Sequence, residues 1–341
     1  MRKAAAVVIV LALAGAVAAA VGGTLVWRRM HEPYKGFDAA AQFIEIPAGA
    51  GAAAIARRLQ EAGIVRDAST FRAAVWWTGQ SRQLQAGEYR FDRPLAAVDV
   101  VDRLARGDVY ARPLTLPEGL TIAEMAALYE SRGFGPASEF SAAARAPALV
   151  RDLDPLAADL EGYLFPDTYA LPRSTPASRL VAQMVERFRA VYGDGLRRAA
   201  REQGFTTRQV VTLASLVEKE TAREDERPVV AAVYRNRLKI GMALQADPTV
   251  VYALRAAGQY DGNIRRQDLA LDSPYNTYRH PGLPPGPIAA PGEASLRAAL
   301  EPASVSYLYF VSRNDGSHVF ASTLAEHNRN VRRFQVLYFR R

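Results

Sequence analysis

The chain has 341 residues, 49% of them apolar, and no cysteine, so it is long enough for two domains with apolar cores and carries neither a disulfide framework nor thiol chemistry. Its formal net charge is +8, but four positive charges flank one apolar segment near the N-terminus and the remainder carries +4. Because no basic run is interleaved with aromatic residues, we expect no nucleic-acid binding.

The N-terminal segment is apolar and uncharged from residue 4 to residue 27. A helix needs about 20 apolar residues to cross a bilayer, and Trp27 lies where an interfacial aromatic residue belongs. We therefore predict a membrane anchor over residues 1–30, with a short cytoplasmic tip and the rest of the chain outside. The alternative is a cleaved signal peptide, because Ala18 and its neighbours offer a small-residue cleavage site, but the length of the apolar run favours an anchor.

A polar stretch over residues 31–42 predicts a tether, and residues 43–118 predict a small α+β module. Alternation and helical periodicity within the module predict strands mixed with short helices. These segments are a strand at 43–47, helices at 71–77 and 98–104, and a strand at 87–91.

The beginning of this module has a second copy seventy residues later, where Pro117 and Gly119 match Pro47 and Gly49. Each copy predicts a strand, a Pro-x-Gly turn and a helix. Two copies are too few for a solenoid, so we interpret them as the duplication of one supersecondary unit.

Residues 119–341 predict a larger, mostly helical α+β domain. Its helical patterns cover 176–203, 207–223 and 226–240. Thr206 or Thr207 is expected to cap the second of these helices. The Pro/Gly-rich stretch 272–292 predicts a long loop, which its tyrosines and prolines suggest is ordered. The end of the chain predicts a hairpin around Asn314, Asp315 and Gly316, and then a last helix.

The helix predicted over 207–223 carries two glutamates, Glu218 and Glu220, at the edges of an apolar stripe. At 100° per residue they lie about 200° apart, so they cannot face one pocket together. Periodicity does not choose between them. One interpretation is that both are solvated, with one paired to Lys219 or Arg223.

Other chemistries find weaker support. Ser215 and Lys219 are four residues apart, which suggests a nucleophile pair, but the spacing is not Ser-x-x-Lys and no companion motif follows. The histidines lack zinc-binding spacing, and we expect structural roles for His318 and His327. We therefore predict no metal site and no cofactor.

Several long motifs, taken in order, resemble the endolytic murein transglycosylases, also called YceG-like proteins, along nearly the whole soluble chain. The motifs are Leu160–Tyr169, Ala214–Thr221, Asn236–Leu238, Gly241–Met242, Leu244–Thr249, Ser273–Tyr278, Gly282–Ile288 and Tyr307–Val311. A single span and a LysM-like module at 43–118, ahead of a catalytic domain at 119–341, also fit the layout of that family.

The resemblance implies a catalytic role for Glu218, because the first glutamate of the Glu-Lys-Glu-Thr run is catalytic in that family. The implied reaction cleaves the MurNAc–GlcNAc bond of peptidoglycan and leaves a 1,6-anhydro end. One carboxylic acid protonates the glycosidic oxygen and then takes the proton of the substrate's own C6 hydroxyl, whereas ordinary glycosidases need two carboxylates. We expect the apolar neighbours Val217 and Ala214 to favour the protonated acid by desolvation.

Polar side chains should hold the sugar and its acetamide groups. Our candidates are Gln245, Asp247, Tyr275, Asn276, Tyr278 and Glu161. For Tyr163 and Tyr169, a core role and sugar stacking remain equally open. Ala246 departs from the family pattern, in which a small hydroxyl residue is expected.

Two alternatives remain open at this stage. One is a muramidase-type hydrolase with Asp247 or Asp167 as the second carboxylate. The other is a non-catalytic peptidoglycan-binding scaffold. The resemblance further implies a periplasmic catalytic domain on the inner membrane, cutting of nascent strands that limits their length, and peptidoglycan synthases as partners.

Overall fold

A computed structural model describes residues 2–172 and 175–338 of the chain. The chain forms two compact units. The first comprises Met1–Arg112 with Ala170–Ser174, and the second comprises Pro113–Tyr169 with Thr175–Arg341. The fold is a mixed α/β one, as the sequence predicts.

Helix α1 (Arg2–His31) is, by length and composition, the one helix within the described residues that is apolar enough to cross a membrane. Its apolar stretch, Ile9–His31, has a mean hydropathy of 2.3. The described side chains of this stretch are exposed as far as Arg29, whereas Met30 is buried in the core of the first unit. The helix therefore runs directly into the folded module.

The first unit continues with two strands and three helices around one apolar core. They are β1 (Gln42–Ile46), α2 (Ala52–Glu61), α3 (Ala68–Thr78), β2 (Gly87–Phe91) and α4 (Ala97–Arg106). β1 and β2 pair antiparallel, with Ile44 opposite Tyr89. The strands and helices predicted for this module are confirmed, and the LysM-like assignment stays a prediction.

The next elements of the chain, in order, are mostly helices. They are β3 (Ala111–Leu116), α5 (Ile122–Ser131), α6 (Ala137–Ala144), β4 (Asp167–Pro172), α7 (Ala177–Val191), α8 (Asp194–Glu202), α9 (Thr207–Glu220), α10 (Arg227–Lys239), α11 (Asp247–Ala256), α12 (Glu293–Leu300), β5 (Tyr309–Ser312), β6 (His318–Ala321) and α13 (Leu324–Val331). β3 pairs with β4, and β5 pairs antiparallel with β6. The predicted terminal hairpin and last helix are confirmed.

The predicted repeat is visible in the backbone. β1 and β3 each lead through a Pro-x-Gly turn into a helix, and the turn glycines Gly49 and Gly119 both have φ of 76°. The glycines after the two helices, Gly63 and Gly133, have φ of 68° and 70°. These left-handed positions favour glycine because a Cβ would crowd the following carbonyl oxygen.

α9 is the central helix of the second unit, where it packs against α10, α11 and α12. Thr206 and Gln209 form a capping box at its start, as the predicted cap requires. Every residue from Val210 to Val217 is buried, so the helix is enclosed on all sides rather than along one stripe. Its last turn carries the two glutamates to the edge of this packing.

Two helix predictions differ from the structure, and α11 is an additional helix. The pattern at 176–203 forms two helices, because the chain breaks at Tyr192 and Gly193, where the Tyr192 ring packs on Phe188. α9 ends at Glu220, ahead of the predicted end at 223, since Thr221 is extended. α11 was not predicted, although its Asp-Pro start is a favourable one for a helix.

Candidate active site

Glu218 lies in the last turn of α9, and its side chain is only 6% exposed. One carboxylate oxygen, Oε1, accepts a hydrogen bond from Nη2 of Arg227 at 3.2 Å. The other, Oε2, accepts from the backbone N–H of Gly292 at 3.0 Å and from the hydroxyl of Ser295 at 2.8 Å. The expected apolar surroundings are therefore replaced by three polar donors.

These donors come from the beginnings of two helices. Arg227 is the first residue of α10, and Gly292 and Ser295 lie in the first turn of α12. The free backbone N–H groups and the helix dipole make such positions favourable for negative charge. The carboxyl group of Glu218 is therefore held by donors at the starts of two helices.

A second carboxyl group, Glu118, lies on the other side of Arg227. Nη2 of Arg227 is 3.3 Å from Oε2 of Glu118. Glu118 is 45% exposed, and a side chain at Gly292 would overlap its carboxyl group. Burial, the charge of Glu218 and a hydrogen bond between the two carboxyl groups raise the pKa of Glu118, against the opposing effect of Arg227. A carboxyl group that is protonated more readily than usual thus borders the buried one.

The turn that carries Glu118 also contacts the wall of a groove. Gly119 packs against Glu218, and its carbonyl oxygen accepts a hydrogen bond from Nζ of Lys219 at 2.9 Å. Lys219 lines a cavity of about 220 Å³ together with Asp247. A second cavity of about 500 Å³ shares Thr121, Tyr252 and Arg255 with the first, so the two form one groove in the second unit.

Three of the predicted sugar-binding residues lie together near this groove. The hydroxyl of Tyr278 donates to Oδ1 of Asp247 at 2.6 Å. Gln245 is exposed and has φ of 48°, a strained conformation for a residue other than glycine. The backbone N–H of Gln245 donates to the carbonyl of Thr277 at 3.2 Å. This bond fixes Gln245 to the loop 273–278, which carries Tyr275 and Tyr278 and is called the tyrosine loop below. These side chains are available to a ligand.

Glu161 borders the larger cavity. Its carboxyl group accepts hydrogen bonds from the N–H of Ile122 at 3.2 and 3.3 Å. Burial, reinforced by the charges of Asp159 and Glu124, raises its pKa to about 8. Near neutral pH it is therefore a protonated hydrogen-bond donor. Tyr275 lies in the same region, with its ring 4.9 Å from that of Tyr252.

Asn276 has a different role from the predicted one. It is fully buried, and its amide donates to the carbonyls of Leu269 and Leu271 at 3.0 and 2.8 Å. Its side-chain oxygen accepts the N–H of Tyr278 at 3.0 Å. Asn276 therefore holds the tyrosine loop in place instead of facing the groove.

Glu220 points to the opposite side of α9, as the periodicity requires. It accepts a hydrogen bond from Tyr234 at 3.0 Å, and burial raises its pKa to about 7. The interpretation of two solvated glutamates is thus wrong. Neither pairs with Lys219 or Arg223, since Lys219 binds Gly119 and Arg223 binds Asp225.

Other candidate residues serve the fold. Ser215 is fully buried between the carbonyl of Thr212 and the N–H of Ile288, so it does not pair with Lys219. Tyr163 is buried, and its hydroxyl binds Asp154 at 2.7 Å, which assigns it to the core. Tyr169 likewise bonds to the carbonyl of Phe165.

The two C-terminal histidines have structural contacts. His318 pairs with Glu226 through Nδ1 at 2.7 Å, and His327 stacks on Tyr309. In the part of the chain that the structure describes, no three His, Asp or Glu side chains are grouped as metal ligands.

Sequence reasoning missed Glu118, Arg227, Gly292 and Ser295. A signal for Glu118 exists within the repeat, because the first copy of the turn has Ala48 at the matching position. A charged residue that replaces alanine in one copy of a duplicated turn indicates a role beyond the turn itself.

The comparisons with known proteins all identify one family. The family model described as the YceG-like family matches residues 44–333. The endolytic murein transglycosylase of Bacillus subtilis (strain 168) is 32% identical over 326 residues, which cover 91% of this chain and 89% of that protein. The protein of the same name from Streptococcus pneumoniae R6 is 29% identical over 84% of this chain but only 57% of its own length.

A solved structure shares the fold. The crystal structure of a YceG-like protein from Listeria monocytogenes superposes with a TM-score of 0.58 at 30% identity. The match covers 85% of this chain and 98% of that one.

Proposed function

This chain belongs to the YceG-like family, and we propose that it is a lytic transglycosylase that cleaves the MurNAc–GlcNAc bond of peptidoglycan, with Glu218 as its acid and base. The names of its relatives support the substrate and the reaction. The observation that carries the residue assignment is the buried Glu218 carboxylate, on which Arg227, Gly292 and Ser295 converge.

The three donors fit the charge that appears during such a reaction. When the acid gives its proton to the glycosidic oxygen, a negative charge develops on Glu218. Arg227 then stabilises one carboxylate oxygen, while Gly292 and Ser295 stabilise the other. Because these groups are already in place, they lower the barrier without reorganisation. The carboxylate next removes the proton of the C6 hydroxyl, whose oxygen bonds to C1 to give the 1,6-anhydro end.

The groove beside α9 has the polar groups that a glycan strand needs. Asp247, Tyr278 and Gln245 offer hydrogen bonds near Lys219, and the protonated Glu161 offers a donor further along. We assign the glycan to this groove. In this assignment Asn276 contributes by holding the loop that carries Tyr278.

A muramidase-type hydrolysis fits the geometry less well. Glycosidase carboxylates lie about 5–5.5 Å or 6.5–9.5 Å apart, so that a sugar or a water fits between them. Glu118 and Glu218 instead both contact one nitrogen of Arg227, at 3.3 and 3.2 Å, so a guanidinium, and not a sugar or a water, bridges the two carboxyl groups. Asp167 is paired with Arg187 at 2.8 Å, and Asp247 accepts the hydroxyl of Tyr278 with one oxygen, which suits the sugar-binding role given to it above. A mechanism with one acid therefore has better support.

We further propose that α1 anchors the enzyme in the inner membrane, with its N-terminus in the cytoplasm and its catalytic unit in the periplasm. The support is the length and apolarity of Ile9–His31. An anchored enzyme would meet strands as they emerge, which fits a role in limiting strand length. Peptidoglycan synthases are the partners that such a position suggests.

Analysis of the product ends tests the proposal. Purified glycan strands are digested with the wild-type protein, with Glu218→Gln and with Glu301→Gln, a control at an exposed position after α12. We expect 1,6-anhydro ends from the wild type and the control, and no cleavage by Glu218→Gln although it still binds strands. Reducing ends would establish the hydrolase, and cleavage by Glu218→Gln would remove Glu218 from the mechanism.

A further inference from the structure

We propose that Glu118 and Glu218 share one proton across Arg227, and that Glu118 is the positioning residue that keeps this proton available to Glu218. This inference rests on the proposed function, because it names the source of the proton that the reaction requires. Nothing in the sequence motifs assigns a role to Glu118, which lies outside all of them.

The geometry places the three groups in one contact. Nη2 of Arg227 lies 3.3 Å from Glu118 and 3.2 Å from Glu218. Arg227 is 7% exposed and Glu218 is 6% exposed, whereas Glu118 is 45% exposed. Glu118 is therefore the member of the cluster that exchanges protons with solvent, while Glu218 is shielded.

Charge balance favours one proton in this cluster. With no proton, two adjacent carboxylates would face a single guanidinium, and their repulsion would be poorly compensated in a buried site. With two protons, Arg227 would lack an anionic partner. With one proton, the two carboxyl groups carry one negative charge that Arg227 neutralises. Such a pair titrates as a unit.

The other charged groups near Glu118 are consistent with this state. Glu224 adds a weaker negative contribution that also favours a proton on Glu118. The ammonium group of Lys219 donates to the carbonyl of Gly119 at 2.9 Å, and no ion pair between Lys219 and Glu118 is found among the described residues. We place the resting proton on Glu118, because the two carboxylate oxygens of Glu218 accept all three hydrogen bonds described above and Glu118 is the more exposed of the two groups.

In the proposed reaction a proton moves from Glu118 through Glu218 to the substrate and is recovered from the C6 hydroxyl. The O–H bond of Glu118 breaks and an O–H bond on Glu218 forms, and the Glu118 carboxylate remains paired with Arg227. Glu218 then protonates the glycosidic oxygen as its bond to C1 breaks. The Glu218 carboxylate takes the C6 hydroxyl proton as O6 bonds to C1. The proton returns to the pair, so no net proton is consumed.

The pH dependence of cleavage tests this inference. In the wild type, the rate falls at alkaline pH where the pair loses its shared proton. In Glu118→Gln the repulsion that helps retain that proton is absent, so we expect this alkaline fall to move to lower pH by about one unit or more. At a pH above both midpoints, the rate would then be about tenfold below that of the wild type. Glu118→Asp, which keeps a titratable group, should restore most of the shift.

The outcomes separate this inference from the proposed function. A Glu118→Gln rate that is unchanged, or lowered equally at every pH, would overturn the inference, as would identical profiles for Glu118→Gln and Glu118→Asp. Thermal unfolding of each variant checks that the fold is intact, and Glu301→Gln serves as the charge control. If Glu118→Gln fails to fold, the infrared carbonyl band of a protonated carboxyl, compared between wild type and Glu118→Asp, still reports whether Glu118 carries the proton. Loss of cleavage in Glu218→Gln with no effect of Glu118→Gln would leave the function standing and reject the shared proton.

Discussion

Arg227 is the residue on which both carboxyl groups of the site depend. Its side chain is buried, and its guanidinium holds Glu118 and Glu218 through one nitrogen. Removing one charge from a buried cluster leaves the opposite charges without compensation. The resulting loss in the free energy of unfolding is larger than the contribution of an exposed ion pair.

We expect Arg227→Met to lose nearly all cleavage and to lower the free energy of unfolding by about 3 kcal/mol. Thermal unfolding and a strand-cleavage assay measure the two effects. Arg265→Met, which breaks the exposed pair with Asp261, is the matched control and should change neither. Equal behaviour of the two variants would show that Arg227 is not the centre of the site.

Glu161 should make stability depend on pH. Its pKa is about 8 in the folded chain and near 4.5 in an unfolded one, so the folded state binds the proton more tightly between these values. Linkage then requires stability to fall as pH rises from about 4.5 to 8 and to level off above that range.

We expect Glu161→Gln to remove a few kcal/mol of this pH dependence, roughly as the size of the shift implies. Unfolding temperatures of wild type and variant at pH 5 and pH 8 give the measurement. The wild type should lose more stability over this interval than the variant does. An equal loss of stability between pH 5 and pH 8 in the wild type and in Glu161→Gln would mean that Glu161 is not protonated in the folded chain.

At the scale of elements, the duplicated turn has acquired different roles in its two copies. Both glycines have φ of 76°, but the second turn carries a glutamate and contacts α9, whereas the first turn has Ala48 at the matching position. The backbone requirement is therefore the same in both copies, while the chemical role belongs to one.

Alanine at either turn glycine should cost about 1–2 kcal/mol of stability, because a Cβ is strained in the left-handed region. We expect Gly119→Ala also to reduce cleavage, since it shifts the turn that holds Glu118 beside Glu218. Gly49→Ala should leave cleavage unchanged at a similar loss of stability. A comparable loss of cleavage in both would indicate that general destabilisation, and not the placement of Glu118, is responsible.

Local patterns were sufficient to predict much of the secondary structure. The strand at Gly87–Phe91, the two turns and the capping of α9 by Thr206 depend on residues close in sequence. The break at Gly193 was missed because tertiary packing, such as the Tyr192 ring on Phe188, decides where α7 ends, whereas α11 was missed although its Asp-Pro start is a local signal. Periodicity also placed Glu218 and Glu220 on opposite sides of α9.

The site itself was predicted only in part, and for a physical reason. Ser295 lies 77 residues after Glu218 in the sequence, and Glu118 lies still further from Ser295 on the other side of Glu218. The three meet through the packing of α9 with α12 and the second turn. No local pattern reports such contacts. The choice of Glu218 over Glu220 came from resemblance to a family, and the donors around it came from the structure.

At the scale of the whole molecule, we expect α1 to hold the protein in a membrane. The side chains of Val17 and Val21 are exposed within its apolar stretch. A charged residue near the centre of a spanning helix costs about 2.5–3.5 kcal/mol for insertion. Two such changes should therefore prevent anchoring.

We expect the double variant Val17→Asp and Val21→Asp to leave the membrane fraction, whereas the wild type should resist alkaline extraction. Val17→Leu with Val21→Leu is the matched control and should remain in the membrane. Wild-type protein recovered in the soluble fraction would contradict the anchor.

We propose that Glu218 catalyses cleavage by an internal hydroxyl of the substrate and not by water. Digestion of glycan strands in water enriched in ¹⁸O distinguishes these two nucleophiles. We expect the new ends made by the wild type to contain no ¹⁸O, and Glu218→Gln to make no new ends. Incorporation of one solvent oxygen at each new end would contradict the account.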